Sequence, residues 1–136
     1  MTPQDVVLRF NHDVIAGRDR AAFDEIMAPD FVNRTAAPGM SPGADGIWAT
    51  FSQVLWPAFP DLTVEIHDQI REGDKVVTRK SFHGTLSAPL MGRAPTGRAT
   101  QIDVIDIVRV ANGQYAEHWG QNSLPALLMA LDRDAA

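Results

Sequence analysis

The spacing of apolar residues changes once along the chain, near residue 62. Before that point it follows a helical repeat. Val6, Val7, Phe10, Val14 and Ile15 form one stripe at helical spacing, which predicts an amphipathic helix. Thr2 is placed to cap it, Pro3 suits its first turn, and Asp5 falls where the helix dipole favours an anion. Gly17 is the expected terminator. Asp19 then caps a short second helix, with Ala22, Phe23, Ile26 and Met27 as its buried face and Pro29 as its stop. Residues 30–44 read as an irregular loop in which Phe31 and Val32 look anchored. Its length and its Pro38, Gly39, Pro42 and Gly43 suit a functional lid. Asp45 should cap a third helix whose broad apolar face is Ile47, Trp48, Phe51, Val54 and Leu55. Pro57 should kink or end that helix.

From Leu62 the period becomes two. Leu62, Val64, Ile66, Asp68 and Ile70 alternate with Thr63, Glu65, His67, Gln69 and Arg71, the signature of a strand with two unlike faces. Glu72-Gly73-Asp74 reads as a hairpin turn and Lys75 to Thr85 as its partner strand. Residues 86–98 form a loop, and Ala99 to Val110 is a third strand. Asn112-Gly113 is a strong two-residue hairpin signal, which makes Gln114 to Gln121 a fourth strand. A short final helix runs from Leu124 to Leu131, and 132–136 should fray. Helices followed by a run of antiparallel strands predict an α+β fold without linker or internal repeat, one domain over 1–136. Helices lying on one side of a curved sheet would enclose a pocket.

Composition then removes several classes. The chain has 136 residues, no Cys, 12 Lys+Arg against 17 Asp+Glu and a net charge of -5. Without Cys there is no disulfide, thiolate metal site or cysteine nucleophile. The acidic balance argues against nucleic acid, and no apolar run is long enough to span a membrane. The first residues lack the pattern of a secretion signal, so a cytoplasmic location is expected. The four His show no metal-ligand spacing, which predicts no metal. Neither a phosphate loop nor a Gly-x-Ser-x-Gly elbow is present. Chemistry is left to carboxylates, histidines and hydroxyls.

A set of short stretches, in order, resembles a known family. They are Asp24 to Val32, Phe59-Pro60-Asp61-Leu62-Thr63-Val64-Glu65, Glu72-Gly73-Asp74-Lys75-Val76-Val77 and Phe82-His83-Gly84-Thr85. Met91 to Arg98, Ile105 to Val110 and Gly113-Gln114-Tyr115-Ala116-Glu117-His118-Trp119 complete it. Together they are similar to the SnoaL-like polyketide cyclases, also called ester cyclase-like proteins, of the NTF2-like superfamily. The resemblance implies an NTF2-like cone and a cofactor-free pocket that closes a ring by aldol chemistry on a polyketide ester. It also implies a homodimer joined through the outer face of the sheet. It places the family's acidic group four residues after the Trp of the Glu-His-Trp motif, where this chain has Ser123. It places a pocket His where this chain has Arg34. Serine has no accessible pKa for acid–base work near neutrality, and arginine stays protonated.

Strand parity anchored on position 123 puts Glu117, Trp119, Gln121 and Ser123 on the pocket face, with His118 opposite unless a bulge intervenes. Ser123 is also well placed to cap the final helix. In the third strand Arg109 shares parity with Asp103, Ile105 and Ile107. It would enter the pocket as a fixed cation, pair with Glu117 across the hairpin, or do both. Asp103 and Asp106, three apart, point to opposite faces. Whichever meets an apolar cavity should have a raised pKa and could act as a base; a structural pair with Arg or Lys is the alternative. In the second strand Arg79 and His83 are pocket candidates, unless Val76, Thr78 and Phe82 face inward instead. The apolar lining is expected from Phe10, Trp48, Phe51 and Trp119. The two readings are a SnoaL-like cyclase or isomerase acting on a small apolar carbonyl compound, with Arg109, His118 and Ser123 as its catalytic candidates, or a non-catalytic small-ligand-binding or protein-interaction domain. In the second, Arg34 and Arg109 would favour a carboxylated ligand.

Overall fold

A computed structural model describes residues 1–135. Four helical segments pack against a five-stranded sheet in which β1 (Met27–Asn33), β2 (Thr63–Glu72), β3 (Lys75–Thr85), β4 (Ala99–Ala111) and β5 (Gln114–Asn122) stand in the order β1-β5-β4-β3-β2. The first segment is α1 (Pro3–Arg9), which runs on as a π-helical stretch over Phe10–Ala16. Thr2 and Asp5 cap it reciprocally, side chain to backbone in both directions,. Its apolar stripe, Val6, Val7, Phe10, Val14 and Ile15, is buried throughout. Each such side chain contributes about 1.5–3 kcal/mol of transfer free energy. The second segment, α2 (Arg20–Ile26), is capped by the Asp19 side chain.

The loop expected after it begins instead as a strand, β1 (Met27–Asn33), the only one that pairs in parallel. Its sequence hides it. Pro29 and Asp30 interrupt the apolar run, and the pairing with β5 jumps from Met27↔Tyr115 to Val32↔Glu117. A proline is tolerated there because β1 is an edge strand,.

The third segment comprises α3 (Ala44–Ala49), a π-helical stretch over Thr50–Leu55 and α4 (Trp56–Ala58). Its cap is Gly43 and not Asp45, which lies in the first turn and accepts a hydrogen bond from the Ser41 hydroxyl at 2.6 Å. Pro57 lies in the short last turn, and the segment ends one residue later at Ala58,.

The long strands form where the alternation predicts them: β2 (Thr63–Glu72), β3 (Lys75–Thr85), β4 (Ala99–Ala111) and β5 (Gln114–Asn122). Asn112 and Gly113 both take positive φ, as the tight β4–β5 turn requires,. Two bulges break the alternation. One lies at His67, between the pairs Ile66↔Lys80 and Asp68↔Arg79. The other lies at Ala116, between Val110↔Tyr115 and Arg109↔Glu117. The fourth helical segment, α5 (Leu124–Ala135), extends past the expected fraying point at 132, and Arg93 holds Asp132 in a two-pronged contact of 3.0 Å per prong. Ala136 lies outside the described residues.

The core fills the space between the helices and the inner face of the sheet. Val76, Phe82, Ile102, Val104, Val108 and Val110 come from the sheet and meet Phe10, Phe23, Phe51, Leu55 and Trp56 from the helices. The described chain is therefore an α+β cone: a curved mixed sheet closed on its inner side by helices.

Candidate active site

The core stops short of filling the cone. A cavity of about 270 Å³ remains, entered between residues 33–37, the end of β5 and the start of α5. An apolar cavity of about 150 Å³ holds benzene, so this one takes a compound of one to two rings. Phe10, Phe31, Phe51, Phe82, Ile102 and Val104 make most of the wall. Polar groups gather on one side of it: Lys80 from β3, Asp106 from β4, and Tyr115, His118 and Asn122 from β5, with Asn33 and Thr35 near the mouth.

Lys80 and Asp106 are a buried pair. Their side chains are 4% and 7% exposed, and Lys80 Nζ lies 3.2 Å from Asp106 Oδ2. Lys80 also donates to Asn11 Oδ1 at 2.7 Å. Asn11 sits in the π-helical stretch and is itself held by donating to the Val7 carbonyl at 2.9 Å. Burial pushes the Asp106 carboxyl upward, but the Lys80 charge and the contact with His118 outweigh it and hold the group below its ordinary value,. The pocket carboxylate is thus an anion at neutral pH and not the raised acid expected from an apolar cavity. Asp106 Oδ1 is enclosed without a hydrogen-bond partner, because the Lys80 and His118 contacts both converge on Oδ2.

His118 is oriented at both nitrogens. Its Nδ1 is 3.0 Å from Asn33 Oδ1, and Nε2 is 3.5 Å from Asp106 Oδ2. Asn33 Oδ1 also accepts the backbone N–H of Thr35 at 3.2 Å. An N–H donates only to the amide oxygen, so Nδ1 must carry the hydrogen in its bond to that same oxygen. A neutral His118 therefore has its lone pair on Nε2, and a proton taken up there faces the Asp106 carboxylate. Gly120 makes room for the ring: a Cβ at 120 would stand 2.8 Å from His118 Cε1 and 3.3 Å from Nε2. Paired directly with Asp106, Gly120 lets the imidazole lean across it toward the carboxylate.

Strand parity explains which expected residues meet here. Phe10, Phe51 and His118 line the cavity. Arg109, Asp103, Trp119, Gln121, Arg79 and His83 do not; they lie on the outer face, because the inward set on β4 is Ile102, Val104, Asp106, Val108 and Val110. Arg109 and Arg34 both bind Glu117, at 2.5 and 2.8 Å, which removes the reason to expect an anionic ligand. Glu117 is held below its usual value by Arg109 first and Arg34 second. Arg79 pairs with Asp68 at 2.7 Å and His83 meets Glu65 at 2.9 Å. Trp119 lies beside the Lys75 ammonium at 5.6 Å. Trp48 packs between Phe23 and Trp56 instead of lining the cavity. Ser123 lies beyond β5, where its hydroxyl accepts the Asp103 backbone N–H at 2.8 Å.

The residues not singled out from sequence are Lys80, Tyr115, Gly120 and the pair Asn33–Thr35; Asp106 was only one of two alternatives. A signal existed in β4: from Ile102 to Val110 the even-numbered set is apolar apart from Asp106, whereas the odd set carries Gln101, Asp103 and Arg109.

A curved sheet closed by helices around one apolar, polar-sided cavity is the architecture of the NTF2-like cone. The SnoaL-like polyketide cyclase model matches residues 5–131, and the chain belongs to that family. No curated protein matches it. Among solved structures it is similar to IdmH of Streptomyces antibioticus, a candidate polyketide cyclase. The identity is 28%, with 96% of this chain and 98% of that one covered and a TM-score of 0.83. TsrD of Streptomyces laurentii shares 27% identity over 94% of this chain and 92% of its own, with a TM-score of 0.79. A candidate SnoaL-like polyketide cyclase of Jannaschia sp. CCS1 shares 26% over 95% and 90%, also at 0.79. No helix among the described residues is long and apolar enough to cross a membrane.

Proposed function

We propose that this protein is a cofactor-independent enzyme that moves a proton on a small, uncharged, largely apolar carbonyl compound, in a cyclisation or isomerisation of polyketide-cyclase type. His118 is the proton acceptor and Asp106 its counter-charge. The observation that carries this reading is the fixed tautomer: Asn33 and Thr35 leave the lone pair on Nε2 of His118, a residue that lines an apolar cavity, 3.5 Å from a buried carboxylate. The base removes a proton next to the substrate carbonyl, and the resulting imidazolium lies against Asp106. Lys80 and Asn11 keep that carboxylate in place. Proton transfers alone suffice, and general acid–base catalysis of this kind is worth roughly 10²–10⁴-fold.

The test uses 2-tetralone, a two-ring ketone with acidic C1 hydrogens that suits the cavity volume. In D₂O the wild-type protein should speed deuterium uptake at C1 over buffer, and His118→Ala should fall to the buffer rate while still binding the ketone. No acceleration by the wild type, or full acceleration by His118→Ala, would sink the proposal. The first of these outcomes would leave a binding protein.

We infer a homodimer from the other face of the sheet. Ile70, Val77, Ile107 and Trp119 stand in one cross-strand row there, with Ile70 66% exposed and Ile105, on the next row, 52% exposed. Charges of both signs flank the row, Asp68–Arg79 on one side and Arg109–Glu117 on the other. A second copy related by a two-fold axis would cover the apolar row and meet opposite charges. Sedimentation should give a dimer for the wild type and a monomer for Ile107→Lys; a wild-type monomer at micromolar concentration would exclude it.

A further inference from the structure

We propose that Tyr115 is the hydrogen-bond donor for the substrate's carbonyl oxygen, so that β5 supplies both the proton acceptor and the oxyanion partner of the reaction. The assignment rests on the proton-transfer reading above and names a residue to which the family resemblance assigns no role.

The backbone comes first. Residues 115 and 118 are three apart, and in a regular strand they would face opposite sides. The bulge at Ala116 removes that conflict: Tyr115 pairs with Val110, Glu117 pairs with Arg109, and the extra residue turns both Tyr115 and His118 inward,. The ring is then fixed. Tyr115 is 4% exposed, and its ring stacks on Phe10 at 4.5 Å between centroids with 27° between planes.

The hydroxyl is what remains to be explained. Buried tyrosine hydroxyls normally find a partner. Among the described residues the Tyr115 hydroxyl has none. Nor is it sealed in the protein, since among the described residues the sole enclosed side-chain polar atom without a partner is Asp106 Oδ1. Tyr115 lines the same cavity as Lys80, Asp106 and His118. A donor that is held rigid, unspent and open to an apolar cavity is pre-organised for an acceptor brought by a ligand. Burial, and then the nearby Asp106 charge, push its pKa well above that of a free phenol. It therefore stays protonated and can donate.

The step balances within the cavity. The substrate C–H bond next to the carbonyl breaks and its proton goes to His118 Nε2. The electron pair of that bond forms the C=C bond of an enolate, and the carbonyl π electrons move onto oxygen. The Tyr115 O–H donates to that oxygen. In an isomerisation the proton returns from His118 to another carbon. In a cyclisation the enolate carbon bonds to a second carbonyl carbon of the same molecule, and the new alkoxide takes the proton from His118. Nothing is oxidised or reduced.

Tyr115 is the only tyrosine in the chain, which makes the test direct. The full-length protein is produced with ¹³Cζ-labelled tyrosine, giving one signal, and titrated with 2-tetralone and with tetralin, the same two rings without the oxygen. The expected result is a shift of the Cζ resonance with 2-tetralone and little with tetralin. The wild type should bind the ketone more tightly than tetralin, by about three- to tenfold for one hydrogen bond. Tyr115→Phe, which keeps the ring and its stacking, should bind tetralin as before and lose the preference for the ketone. Its C1 deuterium exchange should slow on the order of a hundredfold, the usual loss for one oxyanion donor. A silent tyrosine resonance on saturation with the ketone, an undiminished preference in Tyr115→Phe, or binding of neither probe would overturn the assignment. If the wild type binds 2-tetralone with the predicted resonance shift but does not accelerate exchange, the proton-transfer reading fails while the hydrogen bond stands. If exchange is accelerated and Tyr115→Phe leaves it unchanged, Tyr115 alone is wrong.

Discussion

The two faces of the same four strands use polar residues in opposite ways. On the outer face two of the ion pairs are well exposed: Arg79–Asp68 has side chains 54% and 59% accessible, and His83–Glu65 40% and 58%. Water screens them, and such pairs add little to stability. On the inner face a single ammonium, a single carboxylate and one imidazole sit among phenylalanines, and each is held by a named partner. There, removing one member strands another in a medium that cannot solvate it. A count of charged residues in the strands favours the outer face. The physics of burial favours the inner one as the place where chemistry is done.

The sharpest way to break this comparison is to delete inner and outer partners separately. Asp106→Ala leaves the Lys80 ammonium buried and unpaired, and unfolding free energy should drop by about 3–5 kcal/mol. Asp68→Ala should leave the denaturant midpoint almost unmoved. The double substitution Lys80→Met/Asp106→Leu replaces the pair by apolar groups and should recover wild-type stability or exceed it. It should nevertheless lose exchange activity, which would separate the pair's role in the site from its role in the fold. A double variant as unstable as Asp106→Ala would mean that the pair itself holds the cone together.

A smaller effect on stability but a large one on rate is expected at Gly120. A methyl group there must displace the His118 ring, since ring atom Cε1 stands 2.8 Å from the Cβ position. A displacement of about 1 Å at a reacting group can cost on the order of 10²-fold. Gly120→Ala should therefore lower the 2-tetralone exchange rate about that much while leaving its affinity nearly intact. An unchanged rate would show that the position of the ring is not what matters.

The pH dependence of folding gives the mildest discrimination. Asp106 is held below its ordinary value in the folded state, so the unfolded chain binds more protons in that window,. Its contribution to stability is fully present above the unfolded carboxyl pKa. It is lost as pH falls through the lower, folded value. Glu117, held down by Arg109 and Arg34, has the same sign. Urea melts should show stability falling on acidification below about pH 4. Part of that slope should disappear in the Lys80→Met/Asp106→Leu protein, and a slope identical to the wild type would contradict the inner-face account.

The strands show why so much of the fold was legible and the site was less so. Alternation marks β2, β3, β4 and β5 because one face of each is buried, and the turns at Gly73 and Asn112-Gly113 carry their own chemistry. The helical stripe from Val6 to Ile15 survives the change from α to π because only the burial of that face is required of it. β1 was illegible: an edge strand with Pro29 and a jump in register has no periodicity to read. Parity on β5 misled for a specific reason. Counting back from position 123 assumed that this position faces the pocket, but β5 ends at Asn122 and Ser123 bonds to the backbone of Asp103, so the inward set is His118, Gly120 and Asn122. The bulge at Ala116 acts on the other side, where it turns Tyr115 inward as well,. The even-numbered, nearly all-apolar face of β4 was the safer guide. It points to Asp106 and, through the register, to Lys80 on β3 and His118 beside Gly120 on β5. The hydroxyl of Tyr115 has no pattern to betray it; the bulge and the stacking on Phe10 become visible only in three dimensions.

The inner-face claim meets its most direct test in two aspartates on one strand, three residues apart. Asp103→Asn and Asp106→Asn change the same atoms on opposite faces of β4, and the deuterium exchange of 2-tetralone can be followed for both, with the ketone's affinity as a check that each is folded. Asp103→Asn should retain the wild-type rate, and Asp106→Asn should lose most of the acceleration. Equal rates in the two variants, or a loss confined to Asp103→Asn, would contradict the account.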